Sequence, residues 1–131
     1  MVITMRPVTV HEVPDHVTAA VEKKFLRNLQ QYVETERPRL VLDCSKIRQM
    51  DNATIHLLLS CLEEVMKRNG DVKLAAVHAD GRSTLQVTGV HRLFEMYATP
   101  SEAAHSFQRR GASLLPGLDA ADLEGDAESA A

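Results

Sequence analysis

The sequence predicts an α/β fold, in which one domain holds a small, mostly parallel β-sheet flanked by four or so α-helices. Short apolar runs of strand length alternate along the chain with longer segments whose apolar residues recur every three or four positions. The run at residues 40–42 is uninterrupted by polar residues, as expected of a strand buried on both faces. The chain has 131 residues, 44% of them apolar, which is enough to form one core without disulfides.

The amino-terminal segment predicts an edge strand. Residues 2–13 are rich in Val, Thr and Ile, and Pro7 interrupts them because proline cannot donate a hydrogen bond to a central sheet. Val8 and Val10 alternate with polar neighbours, a pattern typical of a strand with one buried face. Further strands are predicted around residues 40–42, 72–77 and 95–97.

Four helices are predicted between and after these strands. The first covers residues 17–33, with Asp15 as its cap, and the third is a shorter one capped by Asp80 and ended by Gly89. Thr99 and Pro100 predict the start of the last helix, which runs to about residue 110. The second helix shows the most regular apolar stripe, which consists of Ile55, Leu58, Leu59, Leu62, Val65 and Met66.

The composition changes near the carboxyl end. Residues 1–110 are predicted to form the domain and residues 111–131 a flexible tail, because Ala, Asp, Gly, Ser and Glu replace the apolar residues there. The tail carries no base after residue 117, and its acids are Asp119, Asp122, Glu124, Asp126 and Glu128. A solubilising role is the simplest interpretation of such a tail.

Charge, cysteine use and hydropathy exclude several classes of protein. The formal net charge is −3 and aromatic residues make up 4%, which argues against a nucleic-acid partner. No apolar run approaches the roughly 20 residues of a membrane span, and no signal sequence is recognisable. Cys44 and Cys61 are predicted to be buried thiols in a reducing compartment. Together these features predict a cytoplasmic protein without direct membrane insertion.

No catalytic motif is present. The phosphate-binding loops of nucleotide enzymes and the G-x-S-x-G nucleophile elbow are missing from the sequence. The six histidines are scattered singly, so we expect no metal site and no cofactor. Asp43 and Asp51 each stand at the end of a predicted strand or the start of a helix, where a carboxylate usually caps backbone N–H groups. We therefore expect no enzymatic activity.

Residues 40–59 read L-V-L-D-C-S-K-I-R-Q-M-D-N-A-T-I-H-L-L-L, which is an apolar strand, a polar link and a small polar block that opens an apolar helix. This order resembles the STAS domain of bacterial anti-sigma factor antagonists, in which the small polar block reads D-S-S-G. Residues 69–77 resemble its glycine turn and third core strand, and residues 85–94 resemble its T-G-L-x-x-x-F segment. The resemblance covers residues 8–110 and implies a small sheet flanked by four or five helices.

The resemblance also implies a phosphorylation switch, which this chain has lost. In the typical antagonist the second serine of D-S-S-G is phosphorylated by an anti-sigma factor that is also a kinase, and the phosphate abolishes docking. Here D-S-S-G corresponds to Asp51, Asn52, Ala53 and Thr54, so the acceptor serine is replaced by alanine. Asn52 is expected to keep the capping role. Thr54 is a weak substitute acceptor, because its side chain would point about 100° away from that of its neighbour.

The leading hypothesis is a non-catalytic, antagonist-like regulator. It would bind an anti-sigma factor or a kinase-like ATPase domain through Asp51, Asn52, Ala53, Thr54 and His56, with residues 45–49 and 80–83 nearby, and without phosphorylation at residue 53. An alternative is a STAS adaptor subunit of a transport or stress-signalling assembly. A third is a sensor of small ligands. The sequence leaves the oligomeric state open, a homodimer included.

Overall fold

The computed structural model describes the backbone of residues 8–113 and the side chains of residues 8–107. The elements are β1 Val8–Glu12, α1 Ala19–Val33, β2 Arg39–Asp43, α2 Asn52–Met66, β3 Asp71–Ala75, α3 Ala79–Thr88, a 3₁₀ turn Val90–Leu93, β4 Glu95–Tyr97 and α4 Pro100–Ser113. This order confirms the predicted α/β fold. The tail after residue 113 and the segment before residue 8 lie outside the described residues.

The four described strands form one parallel sheet in the order β1-β2-β3-β4. Each crossover therefore moves one strand further in the same direction. Right-handed crossovers of this kind place their helices on the same face of a sheet. The core agrees, because α1, α2 and α3 pack with Leu40, Leu42 and Leu74 on one face, while α4 packs with Val41 on the other.

Burial follows the predicted pattern in β2 and departs from it in β1. Leu40, Val41 and Leu42 are completely buried, which confirms a strand covered on both faces. Val10 is 47% exposed, whereas the His11 ring packs edge-on against Tyr32, with ring centroids 4.7 Å apart. The expectation that the valines of β1 define its buried face was wrong for Val10, because a single helix, α4, covers the valine side of the sheet.

The predicted caps of α1 and α3 were wrong, whereas the start of α4 and the end of α3 were predicted correctly. Thr18, not Asp15, caps α1, since its hydroxyl accepts from the Val21 N–H at 3.1 Å. His78 holds the cap position of α3 without a side-chain hydrogen bond, so Asp80 lies inside the first turn. Thr99 caps α4 as predicted, and Gly89 ends α3 at a φ of 81°.

Both cysteines are buried and free, as predicted. Burial raises the pKa of the Cys44 thiol to about 12, with the nearby Asp43 carboxylate as the second cause. Burial likewise raises the pKa of Cys61 to about 12. Because the thiolate is the reactive form, neither residue is suited to nucleophilic chemistry in the folded protein.

A lysine is buried in the centre of the sheet. Lys73 on β3 is 1% exposed and lies beneath α4. Its ammonium donates to the Ser106 hydroxyl at 2.6 Å, pairs with Glu95 at 3.1 Å and lies over the Phe107 ring at 4.3 Å. This cation thus links β3 and β4 to the helix on the second face.

The topology places three loops together at the carboxyl edge of the sheet. The β1–α1, β2–α2 and β3–α3 connections all leave that edge, because the strands are parallel. Open α/β sheets bind ligands where the strand order reverses, and the order of the described strands never reverses. What this edge offers instead is the amino-terminal end of α2. Among the described residues, no helix has the length and apolar character needed to cross a bilayer.

Candidate docking site

The amino-terminal end of α2 is capped by Asp51. One oxygen of the Asp51 carboxylate accepts from the Thr54 N–H at 2.9 Å and from the Thr54 hydroxyl at 2.8 Å. Asn52 is the first helical residue. The prediction that Asn52 takes over the capping role was wrong: the aspartate that opens the motif caps the helix, and the Asn52 side chain is left for contacts outside the helix.

The predicted site residues differ in their exposure. Asp51, Asn52 and His56 are exposed and Ala53 is partly buried against the core, so these four side chains form a continuous corner, here called the α2 surface. Thr54 is 1% exposed, and its hydroxyl is committed to Asp51. The structure therefore brings four of the five predicted residues to the surface and turns the fifth into the core.

The hydrogen bonds from Thr54, first from its N–H and then from its hydroxyl, lower the pKa of Asp51 below its usual value of 3.8. A carboxyl group with a lowered pKa in the folded state stabilises the fold above its unfolded pKa. That stabilisation disappears as the pH falls through the folded value. The cap thus contributes fully at neutral pH and is lost only in acid.

The substitution Asp51→Ala is expected to lower the free energy of unfolding by roughly 1–2 kcal/mol at pH 7, because it removes the cap and leaves the buried Thr54 hydroxyl without its acceptor. The difference from the unsubstituted protein should shrink as the pH falls below 3.8. Urea unfolding at several pH values measures this difference in the free energy of unfolding. Asp80→Ala is the matched control, because its carboxylate accepts no hydrogen bond among the described residues, and a loss equal to that of Asp51→Ala would contradict the capping role.

A polar contact joins α2 to α1 beside the α2 surface. The Nδ1 atom of His56 lies 2.8 and 3.0 Å from the two carboxylate oxygens of Glu22, and the Ser60 hydroxyl donates to the same carboxylate at 3.4 Å. The side chain of Glu22 is 18% exposed, whereas that of His56 is 71% exposed. The carboxylate is therefore mostly enclosed between the two helices, and the imidazole covers it from the solvent side.

An open groove of about 530 Å³ runs between the first turns of α1 and α2. It is called the α1–α2 groove here, and its lining residues are Thr18, Ala19, Glu22, Lys23, Leu26, Ala53 and His56. Ala53, the residue predicted to replace the family's acceptor serine, forms part of its wall. The groove is thus continuous with the α2 surface.

The neighbouring loops assemble on the other side of the α2 amino terminus. Asp43 accepts from the Ser45 N–H at 3.0 Å, which confirms its capping role, and the Ser45 carbonyl lies 2.8 Å from a ring nitrogen of His78. Gly81 packs close to Met50, since a Cβ atom at Gly81 would lie 3.4 Å from the Met50 Cε. The predicted segments 45–49 and 80–83 are therefore held together beside α2.

Sequence reasoning missed Glu22. It stands on the polar side of the α1 stripe and is separated by 34 residues from His56, so no local pattern relates the two. The only signal was the unusual number of small and polar residues at residues 51–54. It indicated a contact surface on α2 but not that α1 and Glu22 lie beside it. In the described part of the chain, no group of His, Cys, Asp and Glu residues has the arrangement of a metal site.

A comparison with protein-family models decides the family. The model of the STAS domain matches residues 2–103, which is more than half of the chain. The chain belongs to the STAS domain family. No curated protein sequence matches it closely enough to count as a relative.

Solved structures of STAS domains share its fold. An anti-sigma-factor antagonist (STAS) domain protein from Planctomyces limnophilus superposes with a TM-score of 0.66 at 19% identity, over 82% of this chain and 97% of that one. The STAS domain of a SulP transporter from Vibrio cholerae gives 0.66 at 17% identity, over 84% and 88%. A chain of the stressosome, a signal integration and transduction hub, gives 0.64 at 14%, over 83% and 96%. At these identities the likeness shows the fold alone.

Proposed function

We propose that this STAS domain is a non-catalytic, protein-binding regulator of the anti-sigma factor antagonist type. Its α2 surface would dock on an anti-sigma factor or another kinase-type ATPase domain. The single observation that supports the proposal is that Ala53 lies on an accessible corner at the start of α2, where the resemblance to the family places the phosphorylated serine. Binding would take place in the cytoplasm, by a monomer or a homodimer.

Phosphorylation has no acceptor at this corner in the proposed complex. Ala53 has no hydroxyl, and the Thr54 hydroxyl is buried and donates to Asp51 at 2.8 Å. A kinase would have to unwind the first turn of α2 to reach it, which would break the cap. We infer that the interaction is controlled by the amount of protein or partner and not by a phosphate on α2.

The absence of catalysis is proposed on physical grounds. The order of the strands in residues 8–113 lacks the reversal at which α/β enzymes hold their ligands, and both thiols have raised pKa values. The His56–Glu22 contact places an imidazole beside a carboxylate. The hydroxyl of Ser60 donates to the Glu22 carboxylate and not to the His56 imidazole, so no activated nucleophile results.

The test is affinity capture of the partner from the host, followed by titration calorimetry of the purified pair with and without ATP. We expect binding that ATP does not weaken and no phosphate on this chain by mass spectrometry. Ala53→Glu should weaken binding at least about 100-fold, because it places a charge in the centre of the contact. Lys67→Glu at the other end of α2 is the matched control and should bind normally. Dissociation by ATP with phosphate on this chain would refute the proposal.

The alternative is a STAS adaptor subunit in a larger assembly. The structural likeness to a transporter STAS domain and to a stressosome chain supports keeping it. Capture would then recover transporter or scaffold subunits in place of an ATPase of the kinase type, and Ala53→Glu would leave the assembly intact.

A further inference from the structure

Glu22 is a mostly enclosed carboxylate whose described contacts are uncharged or exposed side chains of α2. Its side chain is 18% exposed, and it meets the exposed ring of His56 at 2.8 Å and the Ser60 hydroxyl at 3.4 Å. Within residues 8–107, no lysine or arginine forms an ion pair with it. An anion that is mostly removed from water usually has a cationic partner.

The α1–α2 groove beside this carboxylate has an apolar part. Ala19, Leu26 and Ala53 form it and are called the groove floor here, while Thr18, Lys23 and His56 complete the lining. Leu26 and Ala53 also pack against the main core, which holds the floor in place. A ligand suited to this groove therefore carries a hydrocarbon portion ending in a cation.

An arginine side chain has this construction. Its three methylene groups can lie along an apolar surface while the guanidinium remains at the polar end. The planar guanidinium also donates two parallel hydrogen bonds to one carboxylate, a geometry that the compact ammonium of lysine cannot match. Because His56 is 71% exposed, its ring can turn into solvent and release the Glu22 oxygens.

We propose that the α1–α2 groove binds an arginine side chain of the protein partner, with its stem on the groove floor and its guanidinium on the Glu22 carboxylate. This proposal deepens the proposed function and rests on it, because the proposed function identifies the protein that carries the arginine. It extends the contact from α2 to the first turns of α1. Since Ala53 belongs to both surfaces, one partner segment can cover the two together.

The experiment uses the full chain and a defined probe, Nα-acetyl-arginine methylamide, followed by ¹H–¹⁵N NMR. We expect saturable shifts confined to residues 18–26 and 53–60, with a dissociation constant in the millimolar range. The citrulline counterpart has the same shape without the charge and should give at least about tenfold weaker binding, as expected when a charge-assisted pair is lost.

Two variants and one control locate the site. Glu22→Gln keeps the shape and should abolish the shifts, and Ala19→Phe, at an exposed position, should block the groove while leaving the carboxylate in place. Glu63→Gln removes an exposed carboxylate elsewhere on α2 and should bind the probe normally. Equal shifts with citrulline, shifts that survive Glu22→Gln, or shifts that spread over all acidic patches would overturn the proposal.

The two proposals can fail separately. If the probe ignores Glu22 while the captured ATPase still depends on residue 53, the arginine site is wrong and the proposed function stands. If the probe binds as expected while the captured partner is insensitive to Ala53→Glu, the groove is correct and the docking function is wrong.

Discussion

Replacing Gly70 with alanine is expected to lower the free energy of unfolding by about 3 kcal/mol, the upper range for forcing an extra methyl group into a packed interior. A Cβ atom there would lie 2.7 Å from both the Pro38 Cδ and the Val65 Cγ1, and closer still to the Pro38 carbonyl oxygen. That carbonyl accepts from the Asp71 N–H at 2.9 Å where β2 and β3 begin. The clash would therefore disturb both the end of α2 and the register of the central strands.

Gly89 provides the control for Gly70. It has a φ of 81°, but a Cβ atom added there would meet no heavy atom within 4 Å. Gly89→Ala should cost only about 1 kcal/mol, the usual penalty for alanine in the left-handed region. Urea unfolding of the two variants separates close contact from backbone strain. Equal losses of unfolding free energy in the two variants would mean that close contact at Gly70 does not cause the destabilisation.

Replacing Lys73 with alanine is expected to cost about 3 kcal/mol, because it empties the volume of a long side chain beneath α4. The Glu95 left behind is 47% exposed on its side chain, so water can solvate its charge. Ser106 keeps its hydrogen bond to the Ala103 carbonyl at 2.6 Å. The main loss therefore comes from the cavity against Phe107 and Tyr97, and the loss of the ion pair with Glu95 adds little.

Lys73→Met distinguishes packing from charge. Methionine fills nearly the same volume without an ammonium, and the Glu95 carboxylate is exposed enough to be solvated, so the exchange leaves no uncompensated buried charge. We expect a change of less than about 1 kcal/mol in either direction. Thermal and urea unfolding measure both variants. A loss for Lys73→Met as large as that for Lys73→Ala would show that the cation itself holds α4 on the sheet.

The helices divide unequally between the two faces of the sheet. Three helices cover one face and α4 covers the other, and the amino-terminal end of α2 leaves Asp51, Asn52 and His56 exposed. Asp51 satisfies the backbone of the first turn from within the chain. The Asn52 side chain is therefore not needed for the cap, whereas His56 contacts Glu22 on α1.

The order and type of the elements followed from local patterns. The apolar run of β2, the stripe of α2, the cap at Thr99 and the glycine at residue 89 each depend on neighbours in the sequence, and each appears in the structure as predicted. The mistaken caps at Asp15, Asn52 and Asp80 lie within three residues of the true ones. Several residues of suitable chemistry stand together there, and backbone geometry chooses among them.

The sequence by itself determined the α/β class, the likeness to STAS domains and the presence of alanine at residue 53, because these depend on residue identity and on short spacings. Only the tertiary structure decided that Lys73 is buried, that Thr54 faces the core and that Glu22 meets His56. Each of these depends on packing between segments far apart in the chain. A strand or helix pattern shows which faces exist, but the neighbour that covers a face is set by the path of the chain in space.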